Sequence, residues 1–187
     1  LDITPAITTG GDVALGIALD DPPPGWTCAN PEFAKAVTAA LLAGDAVALD
    51  DPHALADWLP RDRFAAPATD STLTVAVTAR TDRADAATLL LHPRCLAVGV
   101  GCERDTPPAA LIDHVTATLA AHHLAADAVA CVVSLDVKMD EPAVQSVGRA
   151  LGVPVRFFDA ARLERETLRL ASPSDIVFRA VGCHGVA

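Results

Sequence analysis

An α/β fold with parallel strands is what this chain predicts, on three observations. From residue 95 onward short apolar runs alternate with helical stretches in the order β-α-β-α-β-α-α, the pattern of a layered α/β domain. The apolar runs at 95–100 and 129–135 are nearly unbroken, as in strands buried on both faces. Hydrophobic residues make up 51% of the 187 residues while aromatics are only 4%, so the core must be built from Val, Leu, Ala and Ile. The expected architecture is a small α/β module over residues 1–70, then a three-layer α/β/α domain over residues 71–187. A Pro/Ala/Asp-rich stretch at 60–72 is the expected joint.

In the first module, residues 3–9 form a short β-type run that ends in Thr8-Thr9, with Asp12 beyond Gly10-Gly11. Asn30-Pro31-Glu32 has the composition of a helix start: a capping amide, a proline suited to the first turn and an acid that favours the helix dipole. Phe33, Val37, Leu41 and Leu42 give that helix one apolar face, and Gly44 closes it. A strand follows at 46–49, then one or two helical turns within 52–59.

In the second domain, residues 73–78 alternate as a half-buried strand does, and 89–91 form another short strand. The strand at 95–100 runs into a helix opened by Thr106-Pro107-Pro108, with Leu111, Ile112, Val115 and Leu119 as its stripe. The strand at 129–135 leads to a helix opened by Asp140-Glu141-Pro142 and ended by Gly152. A strand at 153–157 follows. Asp159 then caps a charged helix reaching about residue 170, and Ser172-Pro173 opens a last helix. The chain begins as if in mid-strand and stops without a closing helix or charged tail, the pattern expected of a fragment.

Net charge is −10, which excludes a phosphate-backbone partner, since nucleic-acid binding needs clustered cations. The balance is uneven. Residues 1–92 carry 13 acids and 5 bases, and residues 93–187 carry 11 acids and 9 bases, so an anionic small molecule suits the second half better. No apolar run approaches the roughly 20 residues of a membrane span. The five cysteines (28, 95, 102, 131 and 183) form no C-x-x-C pair, so neither a zinc knuckle nor a redox motif is signalled. Reduced thiols and a cytoplasmic location are expected, with Cys131 as a small core residue. His122-His123 falls at a helix C-terminus, where imidazolium suits the dipole, and no metal site is expected.

Two strands that each empty into a polar loop are how an α/β domain builds a ligand site. The first loop is Gly99-Val100-Gly101-Cys102-Glu103-Arg104. Its glycines either let a ligand approach the backbone or make a plain turn. It is not the dinucleotide fingerprint, because Arg104 stands where the third glycine belongs. Cys102 is either a nucleophile activated by nearby positive charge or an ordinary turn thiol. Arg104 either clamps a carboxylate or pairs with Glu103 or Asp105 at the surface. The second loop carries Asp136, Lys138, Asp140 and Glu141. Lys138, one of only two lysines, can bind an anion or serve as a base. Asp140 suits a helix cap. Glu141 suits either a first helical turn or proton transfer.

These same residues resemble a known family. Val98-Gly99-Val100-Gly101-Cys102-Glu103-Arg104, Asp136-Val137-Lys138-Met139-Asp140-Glu141-Pro142, Leu151-Gly152-Val153-Pro154-Val155 and Ser172-Pro173-Ser174 look like the C-terminal domain of the cobalamin-biosynthesis protein CbiG, shared with CobE. Thr4-Pro5-Ala6-Ile7-Thr8-Thr9 resembles the end of the CbiG N-terminal domain, and residues 26–44 its middle domain. The resemblance implies cobalt-precorrin-5A hydrolase activity in corrin ring contraction, which opens a δ-lactone and releases acetaldehyde. It also leaves room for a non-catalytic corrinoid-binding role of CobE type, or for an accessory domain fused to a precorrin methyltransferase. The implied partner is a tetrapyrrole fringed with carboxylate arms, and other enzymes of the same synthesis are further partners that the resemblance allows. No cofactor is expected, since cobalt would arrive with the substrate. Under the resemblance, Lys138 and Glu141 are the catalytic pair, with Glu141 as base. Gly99, Gly101, Cys102, Arg104 and Asp136 bind the substrate, the amides near Gly101 and Cys102 steadying an oxyanion.

Overall fold

Unbroken apolar runs bounded by turn residues become parallel strands here because helices cover them. In a computed structural model, residues 14–67 and 73–186 are described. The expected strand over 3–9 and the loop with Thr8, Thr9 and Asp12 lie outside the described residues. The chain divides into two units, Leu1–Arg94 and Cys95–Ala187.

The first unit holds a four-stranded sheet in the order β1-β4-β3-β2, with β1 Trp26–Cys28, β2 Val47–Asp50, β3 Leu73–Val77 and β4 Thr88–Pro93. Strands β2, β3 and β4 are parallel, and β1 runs antiparallel to β4. Every residue of β4 is buried, as a central strand requires. Helix α1, Ala34–Ala43, buries Val37 and Leu41, and Gly44 closes it in the left-handed conformation, φ 82°. Asn30 does not cap it. Its side chain instead bridges β4, donating to the Thr88 carbonyl and accepting from the Leu90 amide, each at 2.8 Å. No helix forms over 52–59.

The expected boundary at 70/71 is corrected to 94/95. Strand β3 pairs with β2 from Val47↔Leu73 to Asp50↔Ala76, so it belongs to the first sheet. The described part of the expected joint, residues 60–67, is also structured. Ala65 donates to the Val47 carbonyl at 2.8 Å and accepts from the Leu49 amide at 3.1 Å, which ties residues 61–65 to β2.

The second unit has the parallel sheet β5-β6-β7, with β5 Leu96–Gly99, β6 Val129–Leu135 and β7 Val155–Phe158. Helices α2, Pro108–Ala121, and α3, Pro142–Leu151, follow β5 and β6. Leu111, Val115 and Leu119 of α2 and Val144 and Val147 of α3 share one core with Val132 of β6. Burying each such side chain stabilises by roughly 1.5–3 kcal/mol. Cys131 lies on the alternate side of β6 and is half-buried, so it is not the core residue expected. Two short helices close the described chain: α4, Ala160–Glu164, capped by Asp159, and α5, Asp175–Val181, capped by Ser174 rather than Ser172. The α/β class, parallel sheets flanked by helices, is as expected. No helix among the described residues is long and apolar enough to cross a membrane.

Candidate functional site

The two polar loops of the second unit meet at the carboxyl ends of β5 and β6. Val100 extends the β5 ladder by donating to the Val133 carbonyl at 2.9 Å. The hydroxyl of Ser134, wholly buried, donates to the Val100 carbonyl at 2.8 Å. The chain then turns through Gly101, Cys102 and Glu103. Asp105, not a glycine, takes the left-handed backbone, φ 58°. Neither Gly99 nor Gly101 has a positive φ, so their place in the loop does not rest on that freedom.

After β6, one 3₁₀ turn spans Asp136–Lys138. Asp136 shapes it, its carboxylate accepting from the Val137 amide at 2.8 Å. Arg104 reaches across from the first loop and donates to the Val137 carbonyl at 3.3 Å. The Glu141 amide donates to the Lys138 carbonyl at 3.0 Å, so both residues sit on one turn at the start of α3. Glu141, not Asp140, is the residue before α3, and its side chain makes no capping bond. It is 3% exposed, and its Oε1 has no hydrogen-bond partner among the described residues. An unpaired buried carboxylate oxygen is costly and calls for a reason.

A cavity of about 500 Å³ opens beside these loops. Its polar half consists of Gly101, Cys102, Glu103, Ser134 and Lys138. Its apolar half comes from α5, through Ile176, Val177, Ala180 and Val181, and from Gly185 and Val186 just beyond. This volume is within the range of small-molecule pockets, about 300–1,000 Å³. Lys138 is half-buried and makes no ion pair among the described residues.

The structure therefore brings Gly101, Cys102 and Lys138 to one cavity, with Arg104, Asp136 and Glu141 on the loops that frame it. Gly99 is elsewhere: it lines a smaller groove of about 180 Å³ against Leu111, His114 and Thr118 of α2. Glu103 lines the same space as Lys138, and one N–H of Arg104 donates to the Val137 carbonyl. Sequence reasoning misses Ser134 and the α5 wall. Ser134 has a local signal, being the only hydroxyl in an apolar strand. Ser134→Ala strips the buried Val100 carbonyl of a donor and is expected to cost about 1 kcal/mol. A chemical denaturation midpoint measures it, and an unchanged midpoint refutes the brace.

The first unit has its own cavity, of about 390 Å³, beside Asp50, Asp51 and Arg61 at the end of β2. Asp51 is fully engaged there, accepting from the Leu55 and Ala56 amides at 3.0 Å each and pairing with Arg61. That arrangement explains a turn without calling for a ligand. Among the described residues no group of three or more His, Cys, Asp or Glu is placed to hold a metal ion.

Fold and site define the second unit as a parallel α/β domain with a small-molecule cavity at its strand ends. Residues 96–187, the whole of that unit but Cys95, match the family described as Cobalamin synthesis G C-terminus. This unit belongs to the CbiG/CobE family of cobalamin biosynthesis. The chain is 46% identical to protein CobE of Sinorhizobium sp over 92 residues, which is 49% of this chain and 60% of that protein. It is 25% identical to the cobalt-precorrin-5A hydrolase of Priestia megaterium over 203 aligned positions, 98% of this chain and 54% of that protein. The chain thus spans little more than half the length of these relatives. Among solved structures, CobE is similar with a TM-score of 0.46 and 32% identity, covering 49% of this chain and 66% of that one. A cobalamin biosynthesis protein G homologue from Sulfolobus solfataricus gives a TM-score of 0.33 and 16% identity, covering 78% of this chain and 42% of that one.

Proposed function

We propose that the cavity of the second unit binds a carboxylate-fringed tetrapyrrole of corrin synthesis, and that the chain takes part in cobalt-precorrin-5A hydrolysis. The observation that carries this reading is a pairing on one turn. Among the described residues, half-buried Lys138 has no ion pair, and on the same turn a buried Glu141 oxygen has no hydrogen-bond partner. Lys138 is free to take a carboxylate arm or to steady the oxyanion formed when water adds to the lactone carbonyl. Glu141 does not line the cavity, so it accepts the attacking water's proton through a second water or a shift of its turn. Lactone C–O cleavage leaves a carboxylate and a hydroxyl on the two-carbon unit. That hydroxyl then loses its proton, the carbon–carbon bond joining its carbon to the macrocycle breaks with the electron pair passing to the ring, which takes up a proton, and the two-carbon unit departs as acetaldehyde. Cobalt, where present, belongs to the substrate.

The similarity of the second unit to CobE favours a second reading, a corrinoid-binding protein without turnover. Acetaldehyde release from cobalt-precorrin-5A separates the two. Aldehyde formed in step with protein supports the hydrolase. Tight binding of the intermediate with no aldehyde supports the carrier. Under both readings Lys138→Ala is expected to weaken tetrapyrrole binding at least tenfold, about 1.4 kcal/mol, with an unchanged melting temperature. Spectral titration measures the loss. Unchanged affinity in a folded variant removes Lys138 from the site.

A further inference from the structure

Resting on the hydrolase reading, we infer that Glu103 makes the cavity prefer the closed lactone to the ring-opened product, so that hydrolysis itself loosens the macrocycle. Opening the ester turns an uncharged group into a carboxylate. The product therefore carries one more negative charge than the substrate, at the place where water attacked. Lys138 alone would make that place a trap, because the cation that steadies an oxyanion also holds the carboxylate that replaces it. Among the described residues, Lys138 and Glu103 are the only charged residues lining the cavity. The negative charge of Glu103 disfavours the new carboxylate and hardly touches the neutral ester. Specificity of this kind is a difference of affinities, produced by a repulsive element.

Nothing nearby cancels that charge. Glu103 is exposed, and its carboxylate makes no ion pair among the described residues. Its place in the loop is held, since its carbonyl accepts from the Thr106 hydroxyl at 2.8 Å. One N–H of Arg104, the next residue, donates to the Val137 carbonyl at 3.3 Å. Just past α5, His184 Nδ1 lies 2.9 Å from the Glu164 carboxylate, and its Nε2 lies 3.5 Å from that of Asp175. The α5 wall of Ile176, Val177, Ala180 and Val181 has no donor side chain to offer the new carboxylate. Size confines the effect to one edge of the ligand. A four-ring macrocycle with its arms, about sixty non-hydrogen atoms, fills on the order of 1,000 Å³ at the packing density of a protein interior. The cavity is about 500 Å³. It holds the lactone-bearing edge, while the carboxylate arms of the other edges stay in water.

The test is the ratio of affinities for product and substrate. The ring-opened product is prepared from cobalt-precorrin-5A with the Priestia megaterium hydrolase. Stopped-flow spectral titration reads both affinities before turnover. Glu103→Gln is expected to tighten product binding at least fivefold and to move substrate binding less than twofold. Asp105→Asn is the control. It removes an equal charge from the same loop, off the cavity lining, at a left-handed position that Asn tolerates. It is expected to leave the ratio within twofold. An unchanged ratio in Glu103→Gln, or an equal shift in Asp105→Asn, overturns the role of Glu103 alone. Binding of cobalt-precorrin-5A without aldehyde release overturns the hydrolase reading and this inference with it. Affinity for both ligands that Lys138→Ala leaves unchanged overturns the tetrapyrrole site as well. Circular dichroism melts confirm that each variant is folded.

Discussion

Glu141→Gln is expected to lower acetaldehyde release by at least about 10²-fold, the lower range for loss of a general base. Affinity for the tetrapyrrole should stay within about twofold. The substitution preserves shape and removes the group that takes the proton. It also gives the buried site an amide that is cheaper to desolvate than a carboxylate, so the melting temperature should hold or rise. The competing account is that Glu141 only favours the α3 dipole, from the position just before the helix. That role is worth about 0.3–1 kcal/mol of stability, and its loss would lower the melting temperature and spare turnover. Rate and melting temperature move in opposite ways under the two accounts, so a single variant decides. Full turnover by Glu141→Gln would end its part as base. A wild type that binds without turnover would end the hydrolase reading itself.

Signals are readable in this sequence in proportion to how local they are. The strands at 96–99, 129–135 and 155–158 are legible because each apolar run is fenced by turn residues. Gly44 and Gly152 both close helices in the left-handed conformation, as their places after an apolar stripe imply. Pairing is what local pattern does not carry. Strand β3 has the same alternating pattern whichever sheet it joins, and only its parallel register with β2 assigns it to the first unit. Strand β1 escapes notice because three residues after a proline-rich turn carry no periodicity, and it exists by virtue of β4 beside it. Asn30 has the chemistry of a cap and spends it on a strand 58 and 60 residues away.

The site divides along the same line. Lys138 and Cys102 are legible because a rare cation and a thiol follow strands directly. The apolar half of the cavity is not, since Val186 reaches Gly101 only through the tertiary fold: a Cβ added at Gly101 would lie 3.8 Å from the Val186 side chain. The charge of Arg104 suggests an anion clamp, and its hydrogen bond to the Val137 carbonyl also ties the two loops. No spacing rule distinguishes those two uses of one guanidinium.

Gly148→Ala should destabilise the second unit by about 2 kcal/mol, although alanine is the better helix former by about 1 kcal/mol. Gly148 lies inside α3. A Cβ there would press directly on Val155 Cγ2 and stand 3.1 Å from the Val153 carbonyl oxygen. Ordinary carbon contacts lie near 3.5–4.0 Å, so something must move. Neither neighbour moves freely. Val155 has a stiff, β-branched side chain, and the Val153 amide is bound to the Gly148 carbonyl at 3.0 Å. The clash therefore outweighs the gain in propensity. Gly152→Ala is the control: its φ of 64° strains any side chain, but nothing lies within 4 Å. It should cost about 1 kcal/mol, from backbone alone. Val155→Ala makes the space that a methyl group at position 148 would need, so the double variant Gly148→Ala/Val155→Ala should be more stable than the sum of the two single changes predicts. Urea midpoints at constant m give the coupling energy. Strict additivity would mean that α3 and β7 are not packed as closely as this geometry requires, and the turn carrying Lys138 and Glu141 would lose the support that holds it at the cavity.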